Sequence, residues 1–447
     1  MIWAADVPAA SGPAVPLAGG GAGGVTALAA GTGIGWRPEI AGVVADLPDL
    51  AFCEVIAEAI DPASPPWAVE ELRARGVPVV PHGVRLSLGG AEAVEPHRVT
   101  HLAAAAAALG APLVSEHVAF VRSGGREAGH LLPVPRTRAA LAALAGNVAR
   151  LQAELDVPLA LEPIAALVDW PEDEYTEADF LAALLDRTGA HLLLDVANVH
   201  ANAVNHGQHA EAVLDALPLD RVAYVHVAGG AVRADGLYHD THTHPVPAPV
   251  LQLLRRLRER LPADAPVLLE RDGAYPAAAQ LRAEFAAVAA AGPDGTRPGP
   301  VAAGNAPARV PAAGPGIDTA TLAAAQAGLL DALVAGGPDP PGFDPYRLDA
   351  TRAALLRKRA GEVAVVWPVL AVSLGERWRA AFAAHAAGRP PAGALRDGWD
   401  LARALHVANA LGPGAAAELA DREAAFRYDG ASAPRRRGRL SRALRGR

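Results

Sequence analysis

The sequence predicts an α/β chain: a TIM-type (β/α)8 barrel followed by a small all-helical domain. Over residues 31–292, eight short β-type apolar runs alternate with Ala/Leu/Arg stretches of helical period, the pattern of a parallel sheet. Eight such units in about 260 residues fit a closed barrel. An open dinucleotide-binding sheet would carry GxGxxG after its first strand, and none stands there. The third observation is a Pro/Gly-rich stretch over 293–316, which reads as a linker. Helical patterning without convincing strands resumes over 317–430.

The runs follow in order at Gly33–Trp36, Ala51–Ile56, Val77–His82, Pro112–Phe120, Pro158–Glu162, His191–Asp195, Val222–Val227 and Pro266–Glu270. Helical stretches fall between most of them, at Pro96–Leu109, Thr137–Leu155, Thr176–Thr188, Ala248–Leu261 and Ala277–Ala291. Residues 1–30 read as a flexible Ala/Gly/Pro leader without the basic segment of a signal peptide. Residues 431–447 read as a disordered tail holding seven arginines and no acid.

Composition narrows the function classes. Forty basic and 48 acidic side chains give a net charge of −8 over 447 residues, which argues against a dedicated nucleic-acid binder. No apolar run reaches the roughly 18–20 residues of a membrane span, so the expected location is the cytoplasm. A single cysteine, Cys53, excludes an internal disulfide and any zinc-ribbon or iron–sulfur framework. Cys53 reads as a small buried apolar residue beside Glu54. Any metal must be held by His, Asp, Glu or Asn.

Such residues gather at the strand ends. The third run ends in His82, the fourth holds Glu116 and His117, and the fifth ends in Glu162. The sixth reaches Asp195, then Asn198 and His200; the seventh reaches His226; the eighth ends in Glu270. The loop HDTHTHP adds Asp240, His242 and His244. In a barrel these positions converge on the C-terminal mouth, where active sites sit. One such residue alone reads as a helix cap or a hydrogen-bonded loop residue. Six successive strands ending this way would bury several unpaired carboxylates at several kcal/mol each, a cost that cations offset. The donor set, imidazole and carboxylate without thiolate, suits iron, manganese or zinc. It exceeds what one ion requires, and Glu162 and Glu270 are candidates to bridge two. At this level two classes stay open: a multi-zinc or manganese phosphodiesterase or sugar isomerase, and a multi-iron barrel that activates dioxygen.

The segments GIGWRPEI, FCEVIAEAI, PHGVRLSLGG, LVSEHVAF, LALEPI, LLLDVANVHANAVNHG, YVHVAGG, HDTHTHPVP and LLERDG together resemble the multinuclear non-haem iron-dependent oxidative enzymes, from about Gly33 to Ala291. The resemblance implies a TIM-type barrel holding two or three irons, mixed ferrous and ferric, with dioxygen as co-substrate. It implies modification of cysteines in a ribosomally made precursor peptide; a peptide-binding protein with a residual metal site is the remaining alternative. Carried over position by position, it implies His82, His117, Glu162, Asp195, Asn198, His226, Asp240, His242 and Glu270 as metal ligands. Asn198 stands where some members have His. Ala57–Ala59 reads AEA where the family pattern has AEN, so a polar contact is lost there. His206 and Asp272 are implied as groups that orient ligands or face the substrate; loop hydrogen bonding is the alternative. The helical domain, with Leu355, Val363, Val366, Trp367 and Leu370 at helical spacing, holds no ligand cluster. It is expected either to present the peptide or to serve as a structural module.

Overall fold

The computed structural model describes residues 28, 30–262, 265–292 and 318–437. Most of the expected leader, the 293–316 linker and the tail beyond residue 437 lie outside the described residues. Twelve strands form the first part of the chain: β1 (Thr32–Gly35), β2 (Cys53–Ile56), β3 (Val79–Gly83), β4 (Val114–His117), β5 (Ala119–Ser123), β6 (Arg126–Pro133), β7 (Leu159–Glu162), β8 (His191–Asp195), β9 (Val222–Val227), β10 (Ala231–Val232), β11 (Tyr238–His239) and β12 (Val267–Leu269). Eight of them close a barrel in the order β1-β12-β9-β8-β7-β4-β3-β2, and every pair within it is parallel. The expected (β/α)8 barrel is what forms.

Helices over Pro96–Leu109, Arg138–Gln152, Glu177–Thr188, Ala248–Arg260 and Ala278–Ala290 stand where helical period was read. Their starts are chemically marked. Thr137 and Thr176 each accept a backbone N–H of the first turn through the side chain. Apolar faces of these helices pack against outward strand residues such as Val55, Val114, Leu161, Leu194 and Leu269.

The barrel interior is a separate, smaller cluster: Phe52, Val80, Leu113, Ala160, Leu193, Tyr224 and Leu268. Strand side chains alternate faces with period two. Two residues further along each of these strands, the same inward phase carries Glu54, His82, Ser115, Glu162, Asp195, His226 and Glu270. An apolar floor and the polar mouth above it are thus consecutive layers of one barrel. On β1 the inward phase is Gly33 and Gly35; a Cβ on Gly33 would stand 2.7 Å from the Phe52 ring, so the interior has no room for one.

The structure departs from the sequence reading at the fourth run. It is a barrel strand, β4, followed at once by an antiparallel hairpin, β5–β6. A second hairpin, β10–β11, follows β9.

The chain divides into two compact units. The barrel unit extends to Gln326. It includes the start of helix Thr319–Leu330, whose Leu322 joins the barrel core. Gln326 donates to Gly89 O and accepts from Ala91 N, both at 2.8 Å. Among the described residues, the second unit comprises Gly124–His130 and Ala327–Arg437. Its helices, among them Pro345–Val366, Pro368–Leu374, Trp378–Ala386, Ala394–Val407 and Pro413–Ala425, enclose Trp367, Trp399, Trp378, Phe382 and Leu370. Gly398 lets Trp367 approach, since a Cβ there would lie 2.2 Å from the indole. The first arginines of the expected tail are held: Arg435–Arg436 pairs with Phe426–Arg427, and Arg437 Nε donates to Phe426 O at 2.8 Å. No helix among the described residues is long and apolar enough to cross a membrane.

Candidate metal centre

Glu162, at the end of β7, stands in the middle of the mouth. Its Oε2 lies 3.4 Å from His117 Nε2 and 3.6 Å from His82 Nε2. Its Oε1 lies 3.6 Å from His226 Nδ1 and accepts from Asn198 Nδ2 at 3.4 Å. His226 Nδ1 also faces Glu270 Oε2 at 3.1 Å, while its Nε2 meets Glu54 Oε2 at 2.9 Å. On the far side, His242 sits between Glu270 Oε2 (3.2 Å), Asp240 Oδ2 (2.7 Å) and Asp195 Oδ2 (3.8 Å). Four overlapping groups have ligand-type atoms close enough to share an ion: His82–His117–Glu162, Glu162–Asp195–His226, Glu54–His226–Glu270 and Asp195–His242–Glu270.

Local structure explains how these side chains are held. His117 Nδ1 lies 3.1 Å from the Gly83 carbonyl. A carbonyl only accepts, so in the neutral ring Nδ1 carries the proton and Nε2 offers a lone pair to the cavity. Asp195 ends β8 and caps the helix Val196–His206: its Oδ1 accepts from the backbone N–H of Ala197 and Asn198. The capping role is real, but it occupies one oxygen only. His242 adopts φ +51°, a left-handed conformation that costs about 1–3 kcal/mol where the surroundings impose it. Gly229 permits the loop that carries His242 to close down, because a Cβ there would lie 2.1 Å from His244 O.

The electrostatics are those of unlike groups forced together out of water. Burial pushes the Asp195 carboxyl up to about 7, and the charge of Asp240 adds to it. Burial works against the His117 cation, yet the Glu162 and Glu116 carboxylates raise it to about 9. Burial opposes the Glu270 charge as well, but His242 and His226 hold that carboxyl well below its usual range.

Several buried atoms of ligand type have no hydrogen-bond partner: Glu54 Oε1, Glu162 Oε2, Asp195 Oδ2, Asn198 Oδ1, His226 Nδ1 and Asp240 Oδ1. Natural proteins leave few such atoms, and each costs about 1–3 kcal/mol or more. Two donors about 2.1 Å from one ion at a tetrahedral angle stand about 3.4 Å apart. That is the spacing from Glu162 Oε2 to His117 Nε2 and close to that to His82 Nε2. The cluster therefore fits cations, and its nitrogen and oxygen donors suit a first-row metal.

Of the expected ligands, all nine lie at this mouth. Asp240 reaches it through His242, and Asn198 through Glu162. Glu116 does not, being in the outward phase: its carboxylate accepts from Leu86 N and His117 N. His200 packs against the Tyr238 ring at 4.9 Å, His206 Nδ1 faces Asp169 Oδ2 at 3.2 Å, and His244 Nδ1 meets Thr241 Oγ1 at 2.6 Å. Asp272 pairs with Arg37, which also reaches Glu270 Oε1 at 3.5 Å. Cys53 faces the outer apolar core, and burial pushes its thiol up to about 12. The sequence reading passed over Glu54, Arg37, Ser115 and Tyr224. The signal for each was phase: Glu54 stands two after Phe52, Arg37 two after Gly35, Ser115 two before His117 and Tyr224 two before His226.

Known proteins extend this picture. Residues 323–407 match the SCO6045-like C-terminal domain. A UPF0276 protein of Streptomyces avermitilis is 46% identical over 429 residues, covering 85% of this chain and 88% of its own. A UPF0276 protein of Chromobacterium violaceum is 36% identical over 263 residues, covering 59% of this chain and 95% of its own. Among solved structures, endonuclease IV from Thermus thermophilus aligns at 20% identity and a TM-score of 0.38 over 58% of this chain and 98% of its own. Residues 31–292, the span of the barrel and its mouth, match the RiPP precursor modification enzyme MbnB/TglH/ChrH, and the chain belongs to that family of peptide-modifying enzymes.

Proposed function

We propose that this protein is a multinuclear iron-dependent oxidase that uses dioxygen to modify cysteine residues of a ribosomally made precursor peptide. The observation that carries the metal part is the set of buried carboxylate, amide and imidazole atoms left without hydrogen-bond partners at the barrel mouth. Family membership supports the peptide substrate.

In this reading His82, His117, Glu162, Asp195, Asn198, His226, Asp240, His242 and Glu270 hold two or three irons. Iron, when bound, supplies the one-electron chemistry that lets dioxygen react with a thiol-bearing side chain. The chain's own residues do the rest. Glu162, between three imidazoles, would offer its charge to more than one ion. Arg37, buried against Glu270 and Asp272, keeps those carboxylates oriented. The apolar floor from Phe52 to Leu268 excludes water from below, which strengthens every electrostatic contact above it.

Protein purified without oxygen is expected to carry two or three irons per chain and to consume dioxygen when given a Cys-containing precursor peptide. Zinc as the sole bound metal, together with hydrolysis of a phosphodiester, would overturn the oxidase reading.

A further inference from the structure

Beneath the candidate ligands runs an unbroken hydrogen-bond chain of residues with at most 2% of their surface exposed. His226 Nε2 lies 2.9 Å from Glu54 Oε2. The same oxygen is 2.6 Å from the Tyr224 hydroxyl. That hydroxyl is 2.7 Å from Ser115 Oγ, which is 2.8 Å from His82 Nδ1. The chain links four strands, β9, β2, β4 and β3, and ends in imidazoles on both sides. Its middle members, Glu54, Tyr224 and Ser115, have no role in the ligand set implied by the family resemblance.

We propose that Glu54, Tyr224 and Ser115 are positioning residues that fix the tautomers of His82 and His226, so that both rings turn a lone pair toward the metal cavity. The argument is one of proton order. Glu54 as a carboxylate only accepts. Both of its neighbours on Oε2 must therefore donate: His226 from Nε2–H and Tyr224 from its O–H. One phenolic proton cannot serve two partners, so Tyr224 Oη accepts from the Ser115 hydroxyl. Ser115 Oγ, its own proton spent, accepts from His82 Nδ1–H. Each proton then has one place. The remaining nitrogens, His226 Nδ1 and His82 Nε2, are left with lone pairs, and both face Glu162.

The two arms are not equivalent. Removing the Tyr224 hydroxyl frees the Ser115 proton to turn toward His82 Nδ1. That would reverse the His82 tautomer and place a hydrogen where the metal needs a lone pair. The His226 arm still donates directly to Glu54 and keeps its order.

This inference rests on the reading of the mouth as a metal centre, and the test separates the two. Metal-free full-length protein is titrated with Co2+ in competition with a chromophoric chelator, and the visible Co2+ spectrum is recorded. Wild-type protein is expected to take up more than one Co2+. Tyr224→Phe is expected to weaken one of those sites about 10- to 100-fold, as loss of a ligand-orienting contact does, to shift its Co2+ bands, and to leave the other sites unchanged. Ser115→Ala should do the same, the Tyr224→Phe/Ser115→Ala double variant should lose no more than the worse single one, and Ser115→Thr, which keeps the hydroxyl, should bind close to wild type. A merely structural role would lower the melting temperature of the metal-free variants and leave their Co2+ affinity and spectrum alone. Wild-type isotherms in both single variants, or losses that add in the double one, would overturn the proposal. If Tyr224→Phe does not fold, Ser115→Ala and Ser115→Thr decide it. Wild-type protein that binds no Co2+ sinks the metal reading itself, and this inference with it.

Discussion

Replacing Glu162 with Gln removes a charge at the point where the candidate groups meet. Glu162 contributes to two of the four overlapping groups, His82–His117–Glu162 and Glu162–Asp195–His226. Its geometry sets the expected size of the effect. A metal present at a hundred times its dissociation constant stabilises the folded protein by about 2.7 kcal/mol per site. Losing a contact that only orients a ligand costs about 10–100-fold in affinity, so losing a charged ligand oxygen costs at least about 100-fold. At the same metal concentration each affected site then contributes only about 0.4 kcal/mol. Two sites together lose about 4–5 kcal/mol, which for a domain of this size is roughly 10–18 °C of metal-dependent melting temperature. Burial opposes the Glu162 charge, but His226, His117 and His82 hold its carboxyl below the usual range, so the metal-free variant should melt somewhat lower than wild type, and each metal-induced shift is read against that protein's own metal-free baseline. The assay is differential scanning calorimetry of chelator-stripped protein with and without Fe2+ under anaerobic conditions, alongside metal analysis. His206→Gln, whose imidazole faces Asp169 instead, is the control and should keep wild-type loading. An undiminished metal-induced shift and metal content in Glu162→Gln would refute the reasoning.

Two further outcomes follow from the packing. Arg37→Gln leaves Glu270 and Asp272 without their buried cation and should cost about 3–5 kcal/mol in the metal-free protein, read as a lower denaturation midpoint; Arg37→Lys should not restore it, since an ammonium lacks the guanidinium fork. Ending the chain at Gly292 strips Leu322 and Gln326 from the barrel unit. That should cost roughly 3–6 kcal/mol from one buried leucine and two hydrogen bonds, whereas a chain ending at Leu330 should recover it; equal urea midpoints for the two would contradict this.

Much of the barrel was legible because its signals are local. The helix Pro96–Leu109 has the bounds that the period indicates, with Pro at its start and Gly110 in the left-handed conformation at its end. The hairpin β5–β6 was hidden because VSEHVAFVRS holds no Gly, Pro, Asn or Asp to mark where β4 ends. The break between β4 and β5 depends on which neighbour each half pairs with, β7 on one side and β6 on the other, and pairing across the chain leaves no mark in composition. The start of helix Thr319–Leu330 was assigned to the second domain for a related reason. Gln326 reads as an ordinary helix residue until its amide is seen bridging Gly89 and Ala91.

The site was read from strand ends, and that shortcut explains both its successes and its misses. Metal-ligand residue types at the ends of β3, β4, β7, β8 and β9, and just past β12, announce a mouth, but the end of a strand is a position along it and not a direction. Direction comes from phase. In a closed barrel every second side chain points to the axis, so the interior apolar layer of Phe52, Val80, Leu113, Ala160, Leu193, Tyr224 and Leu268 fixes which later residues must meet above it. Phase puts Glu54 inside and Cys53 outside although they are adjacent, and it puts His117 inside and Glu116 outside for the same reason. It also separates Asp195, which must enter the mouth, from His200 and His206, which lie on the helix that follows and turn away with its 3.6-residue period. Glu54 looked like part of an apolar strand because its neighbours Cys53, Val55 and Ile56 are apolar. A carboxylate in that phase has Tyr224 as its partner from across the barrel and meets His226 Nε2 on the same oxygen, contacts that the alternation of side chains along β2 and β9 makes possible.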